Sequence, residues 1–259
     1  MLEFAANLSM MFTELPFLDR FAAAAKAGFT GVEYLFPYDF DGADLAKRLA
    51  DTGLTQVLFN MPPGNWDKGE RGIACLPDRV AEFRAGVDQA AAYARTLSCS
   101  KVHGMAGVLP PGLDPERANE TYIANLRFAA EAFARDGVSL LIEPINTRDI
   151  PGYFLSRTQQ ALDVIAAVGH PNVRLQYDCY HMHIMEGDLA ATLQRHLGSI
   201  AHVQIADAPG RHEPGTGDIE YPALFKHLDA LGYDGWIGCE YRPQAGTLEG
   251  LGWMAAAKA

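Results

Sequence analysis

Two hydrophobic patterns alternate along this chain. Short apolar runs bounded by glycine, proline or a polar residue read as buried strands, and between them longer stretches repeat their apolar positions every three to four residues and read as helices. The predicted strands cover residues 4–8, 31–34, 55–60, 100–103, 139–143, 173–178, 200–205 and 236–240. Helices are predicted over residues 17–27, stopped by Gly28; 42–51, before Gly53; 78–97; and 114–135, with Asp114 as N-cap and Pro115 at the first position. Further helices follow over 156–168, capped by Ser156; 188–197; from a cap at Asp218 to about Leu231; and 248–257. Strand and helix alternate throughout without a linker or a break in composition, which predicts one (β/α)₈ TIM barrel forming a single domain over residues 1–259. A doubly wound open sheet is the competing α/β arrangement. The chain lacks both a Gly-x-Gly-x-x-Gly after its first strand and a P-loop, which weakens it.

The chemistry of such a barrel collects where the strands end, and nearly all of these predicted ends are polar: Asn7, Glu33, Asn60, His103, Glu143, Asp178, Gln204 and Glu240. One polar strand end is unremarkable, because a loop begins there. Several carboxylates converging on one mouth repel each other unless a cation or protons hold them. Glu143, Asp178, Gln204 and Glu240 are all oxygen donors with no cysteine among them, a set that suits Mg²⁺ or Mn²⁺ better than zinc. Such an ion polarises a carbonyl and leaves a carboxylate free to act as a base.

His181, three residues past Asp178, reads either as a hydrogen-bond donor to substrate or as an ordinary loop histidine. His202 shares a strand face with Gln204 and is expected one layer deeper; His183 is expected to face solvent or pack locally. Arg211, in the proline- and glycine-rich loop over 207–217, and Arg71, in the long loop after the third strand, are either surface residues or clamps for a carboxylate. His103 joins His181, Arg211 and Arg71 as a substrate-binding candidate.

A net charge of −11 and a pI near 5.1 argue against a nucleic-acid partner, since a grip on phosphate backbones needs clustered Lys and Arg. The four cysteines are widely separated, with no Cys-x-x-Cys pair, which fits reduced thiols. The first residues lack a basic region followed by an apolar run, and no segment has the length of a membrane span. A cytoplasmic protein without membrane contact is therefore expected, with a homo-oligomer left open.

The stretches Phe4-Ala5-Ala6-Asn7-Leu8-Ser9-Met10, Gly69-Glu70-Arg71-Gly72-Ile73-Ala74-Cys75, Leu141-Ile142-Glu143-Pro144-Ile145-Asn146, Gln176-Tyr177-Asp178 and Gly235-Trp236-Ile237-Gly238-Cys239-Glu240-Tyr241 together resemble the hydroxypyruvate isomerase family. That family lies within the xylose-isomerase-like barrels, which also include ketose 3-epimerases and endonuclease IV. The resemblance implies a divalent ion held by Glu143, Asp178, Gln204 and Glu240, with Glu143 and Glu240 as the acid/base pair. Related epimerases usually have histidine where Gln204 stands, so epimerase activity is less expected.

The implied reaction interconverts hydroxypyruvate and tartronate semialdehyde through an enediolate, so the expected partner is a small hydroxy-oxo acid. A close rival is the one-carbon-longer 2-oxotetronate: Val102-His103-Gly104-Met105-Ala106-Gly107-Val108 and Met10-Met11-Phe12-Thr13-Glu14 resemble that branch, whereas Glu143-Pro144-Ile145-Asn146 and Arg71 resemble the hydroxypyruvate branch. Two other classes are an abasic-site endonuclease, which needs a histidine-rich multi-zinc centre and a basic groove, and a non-catalytic sugar-binding barrel.

Overall fold

Eight parallel strands close on themselves in chain order: β1 (Glu3–Asn7), β2 (Gly31–Tyr34), β3 (Thr55–Asn60), β4 (Lys101–His103), β5 (Ser139–Ile142), β6 (Val173–Asp178), β7 (Ile200–Ile205) and β8 (Trp236–Cys239), which pairs back onto β1. The computed structural model describes residues 2–257; Met1, Lys258 and Ala259 lie outside the described residues. The barrel expected from the strand and helix alternation is therefore the observed fold. Its strands read as nearly continuous apolar runs because both of their faces are buried, one in the barrel interior and the other under helices.

Those helices are α1 (Arg20–Lys26), α2 (Gly42–Thr52), α3 (Val80–Leu97), α4 (Pro115–Ala134), α5 (Thr158–Val168), α6 (Cys179–Met185), α7 (Leu189–His196), α8 (Tyr221–Ala230) and α9 (Gly252–Ala257). None is long and apolar enough to cross a membrane. The caps read from sequence hold for Asp114, which accepts from the Glu116 N–H, and for Pro115. They fail for Ser156 and Asp218. Helix α5 starts at Thr158, whose N–H and hydroxyl are taken by Glu186 from beyond α6, and α8 starts at Tyr221 without a side-chain cap. At α5 a tertiary partner thus replaces the local cap. The segment after β6, read as a loop, is the short helix α6, and the Asp178 side chain caps it by accepting from the N–H groups of Tyr180 and His181.

Two glycines let side chains cross the barrel interior. Trp236 lays its ring against Gly31, where a Cβ would come within 2.6 Å of it, and Gly238 leaves room for the carboxylate of Glu33. Glu33 is buried and paired with His202, so it cannot retreat to solvent. Gly238→Ala is expected to destabilise the protein by about 1–3 kcal/mol through overpacking of that pair. A urea midpoint equal to that of the parent would show that the interior has slack at this point.

Candidate active site

Parallel strands bring their C-terminal ends to one mouth, and the sequence has placed its polar residues there. Asn7, Asn60, His103 and Asp178 end their strands, Glu33 and Gln204 stand one residue before the end, and Glu143 and Glu240 stand one residue beyond. Glu143 had been expected at the last strand position. Strand β5 stops at Ile142 instead, and Pro144 has no N–H with which to extend the ladder. Glu240 keeps one strand-like bond, from its N–H to the Ile205 carbonyl at 3.1 Å. All eight of these residues are buried.

Glu143, Asp178 and His181 form the tightest group, with one ligand atom from each lying within 4.8 Å of the others. His181 Nε2 is 3.6 Å from Asp178 Oδ2 and 3.9 Å from Glu143 Oε1. Glu240 reaches the same group through Arg211, whose Nη2 is 3.0 Å from Glu240 Oε2 and 3.4 Å from Asp178 Oδ2. Burial raises the Glu143 carboxyl well above its ordinary range, and the charges of Glu240 and Asp178 add to this. Burial likewise raises Asp178 against the pull of Arg211 and the two capping N–H groups, and pushes Glu240 up to about 8. For Arg211 burial works against the charge, yet Glu240, Asp178 and Glu143 outweigh it and hold the guanidinium charged.

Gln204 does not join that group directly. Its Nε2 donates to Glu33 Oε1 at 2.8 Å and its Oε1 accepts from Gln176 Nε2 at 2.7 Å, so the amide belongs to a polar layer beneath the carboxylates. Glu33 completes the layer by accepting from Asn7 Nδ2 at 3.1 Å and pairing with His202 Nε2 at 2.7 Å. His202 is thus the deeper histidine that the strand period predicted. His103 Nδ1 lies 3.3 Å from Asn60 Oδ1 and 3.6 Å from Glu143 Oε2. Burial, with His202 adding, pushes its pKa down to about 3, so the ring is neutral.

Arg211 owes its position to Asp207. The buried Asp207 carboxylate accepts N–H bonds from Ala208, Gly215, Thr216 and Ile219, while its carbonyl accepts from the Arg211 N–H at 3.0 Å. Arg211 itself has φ +58°, a left-handed conformation uncommon for a residue with a side chain. Arg71 stacks its guanidinium 3.8 Å from the Trp66 ring and donates to the carbonyls of Trp66 and Glu70. Arg71, Trp66, Tyr180, His183 and Arg211 line a cavity of about 910 Å³, which touches the carboxylate group through Arg211. A second groove of about 710 Å³ is walled by Tyr221, Phe225 and Trp253 and lacks Arg211.

Sequence reasoning missed three contributors. Asp207 gives only the sign of an aspartate opening a loop, Glu33 reads as a strand end without its partner, and Asn146 stands in a stretch of the family resemblance with no role of its own. In the structure Asn146 is fully buried and its Nδ2 lies 2.7 Å from His181 Nδ1.

The family described as the xylose isomerase-like TIM barrel matches residues 21–257. The chain is 55% identical over 251 residues to a 2-oxo-tetronate isomerase of Cupriavidus necator, covering 97% of this chain and 96% of that relative. It is 50% identical over 254 residues to the hydroxypyruvate isomerase of Escherichia coli, covering 98% of each. A crystal structure described as AP endonuclease, family 2, from Brucella melitensis has a TM-score of 0.96 and 51% identity, covering 98% of each chain. On likeness of this extent, the chain belongs to the xylose isomerase-like TIM-barrel family and is closely related to the hydroxypyruvate and 2-oxotetronate isomerases.

Proposed function

We propose that the chain is a divalent-cation-dependent isomerase that moves a carbonyl between C2 and C3 of a short hydroxy-oxo acid. The observation that carries this reading is the pair Glu143 and Glu240, two buried carboxyls with raised pKa values at one mouth beside a third, Asp178. The donor set fits a hard cation: Glu143 Oε1 is buried without any hydrogen-bond partner, and Asp178 and Glu240 add carboxylate oxygens at the same mouth, with His181 the one nitrogen donor in the group. Glu143, Asp178, Glu240 and Gln204 would hold Mg²⁺ or Mn²⁺, with Gln204 Oε1 keeping one lone pair beside its bond from Gln176. When bound, the ion supplies Lewis acidity toward the two substrate oxygens and makes the C–H between them more acidic.

The chain's own groups carry the protons. One glutamate of the pair, as carboxylate, takes the proton from C3; the substrate becomes an enediolate, a proton is returned at C2, and the hydroxyl proton moves from O3 to O2. A raised pKa brings a carboxyl closer to what a base working near neutral pH requires. His181 Nε2 faces the same space and is placed to donate to the oxygen on which charge develops. Arg211 and Arg71, both on the cavity wall, are the clamps for the substrate carboxylate, and His103, 3.6 Å from Glu143, is a further substrate contact.

Of the two substrate lengths, we favour 2-oxotetronate over hydroxypyruvate. Identity to the Cupriavidus relative exceeds that to the Escherichia relative, and a second 2-oxo-tetronate isomerase, from Pectobacterium atrosepticum, is 48% identical. The cavity also leaves room for the extra carbon. An endonuclease reading draws no support from the mouth, where the candidate ligand group holds a single histidine and the chain's net charge is −11.

In deuterated buffer with Mn²⁺, the protein is expected to exchange the C3 hydrogen of its substrate, and Glu143→Gln or Glu240→Gln to lower turnover by at least ~10²-fold with the fold intact by circular dichroism. Full activity in both variants would remove the pair from the mechanism. The ratio of kcat/KM values for 2-oxotetronate and hydroxypyruvate is expected above one; a ratio below one reverses the choice of substrate.

Cation binding also has a predictable pH dependence. An ion takes the carboxylate form, whereas the raised pKa values keep these groups protonated near neutrality, so binding releases protons. Affinity for Mn²⁺ is expected to rise with pH through about 8, where Glu240 ionises in the ion-free protein. Calorimetry in buffers of different ionisation enthalpy measures the release, and an affinity that does not change with pH would exclude these glutamates as ligands.

A further inference from the structure

His181 stands in the first turn of α6 with both ring nitrogens engaged in buried surroundings. Its Nε2 faces Asp178 Oδ2 and Glu143 Oε1, while its Nδ1 faces Asn146. Which nitrogen carries the proton decides what the residue can do: an Nε2–H donates to a substrate oxygen, whereas a bare Nε2 is a metal ligand.

The protein's own backbone answers this. The Asp149 N–H can only donate, and it meets one terminal atom of the Asn146 amide at 2.8 Å, so that atom is Oδ1. The other terminus is therefore the NH₂ group. It lies 3.1 Å from Asp149 Oδ2 and 2.7 Å from His181 Nδ1, and it donates to both. Asp149 Oδ2 is pinned in turn by the Tyr180 hydroxyl at 2.9 Å. An amide flip would set an oxygen against the Asp149 carboxylate and an N–H against another N–H. With NH₂ pointing at it, Nδ1 must present its lone pair, and a neutral ring must carry its proton on Nε2.

We propose that Asn146 is a positioning residue that fixes His181 as the neutral Nε2–H tautomer, making it a hydrogen-bond donor to the reacting substrate and withholding it from the metal. Its role toward substrate rests on the function proposed above; the tautomer itself does not. The device also selects the ion. A bare Nε2 beside Glu143 and Asp178 would complete a mixed nitrogen and oxygen set that suits zinc, whereas an Nε2–H leaves oxygen donors and favours Mg²⁺ or Mn²⁺.

Long-range ¹H–¹⁵N spectra of the full chain labelled at histidine nitrogens, with His181 assigned by its loss in His181→Gln, read the tautomer directly and need no activity. The expected result is a protonated Nε2 and an unprotonated Nδ1; a proton on Nδ1 would overturn the proposal. Asn146→Asp supplies the second measurement. It replaces the donor with an acceptor, so a proton moves to Nδ1, and a carboxylate behind a histidine makes the far nitrogen a better ligand. Zn²⁺ affinity is expected to rise at least tenfold relative to Mn²⁺ affinity, read by competition with a chromophoric chelator. An unchanged Zn²⁺ to Mn²⁺ ratio with Nδ1 still bare would also overturn the proposal. Should Asn146→Asp fail to fold, the spectrum of the parent chain decides alone. An Nε2–H tautomer in a protein that isomerises no hydroxy-oxo acid would uphold the positioning role and overturn the proposed function.

Discussion

Three carboxylates buried at one mouth form the constraint on which the rest of this structure depends. Glu143, Asp178 and Glu240 cannot all ionise in a low-dielectric pocket without positive charge beside them. Much of the surrounding architecture supplies or directs that charge. Arg211 bridges Asp178 and Glu240, and it reaches them from a left-handed backbone held by the four N–H bonds of the Asp207 loop. Asp178 is eased further by the α6 N-terminus that it caps. Glu33, one layer down, is kept apart from the group by a private set of partners in His202, Gln204 and Asn7.

The histidines follow from the same constraint in the opposite sense. His103 and His181 lie within 4 Å of carboxylates but are so deeply buried that desolvation holds both below the ordinary histidine range. They therefore enter the mouth as neutral, directional groups, and the charge is left to Arg211 and to any bound cation. Carboxyls with raised pKa values and neutral imidazoles are two results of one low-dielectric pocket.

The strands and their polar ends were legible in the sequence because a buried barrel strand imposes a short apolar run, and a barrel places the residue ending that run at the mouth. Asp178, Gln204 and Glu240 could be picked out on that rule alone. What it could not show is how those residues share the space. Gln204 donates to Glu33 and accepts from Gln176, contacts made across the interior from other strands. Helix α6 escaped because its cap, Asp178, was already assigned to the metal, and one side chain can use Oδ1 for capping while Oδ2 faces Arg211 and His181. The caps at Ser156 and Asp218 mislead for the opposite reason: local cap chemistry is present, but Glu186 takes the Thr158 N–H at the start of α5, and Asp207 takes the Ile219 N–H that follows Asp218. Asn146 lies in a loop where every polar residue looks alike until the fold brings His181 against it.

This division between strand ends and loops bears on substrate length. In the proposed reaction the groups that act at C2 and C3 are fixed by the barrel and serve a three-carbon or a four-carbon acid equally. The extra carbon of 2-oxotetronate carries a hydroxyl, and a hydroxyl taken out of water needs a partner. The cavity beside Arg211 offers several, since Asp149, Tyr180 and His183 line it alongside Arg71 and Arg148. A site built only for hydroxypyruvate would gain from an apolar wall closing over the terminal carbon. On the proposed function, polar groups such as Asp149 and His183 on the cavity wall are the partners that a four-carbon acid's far hydroxyl would use.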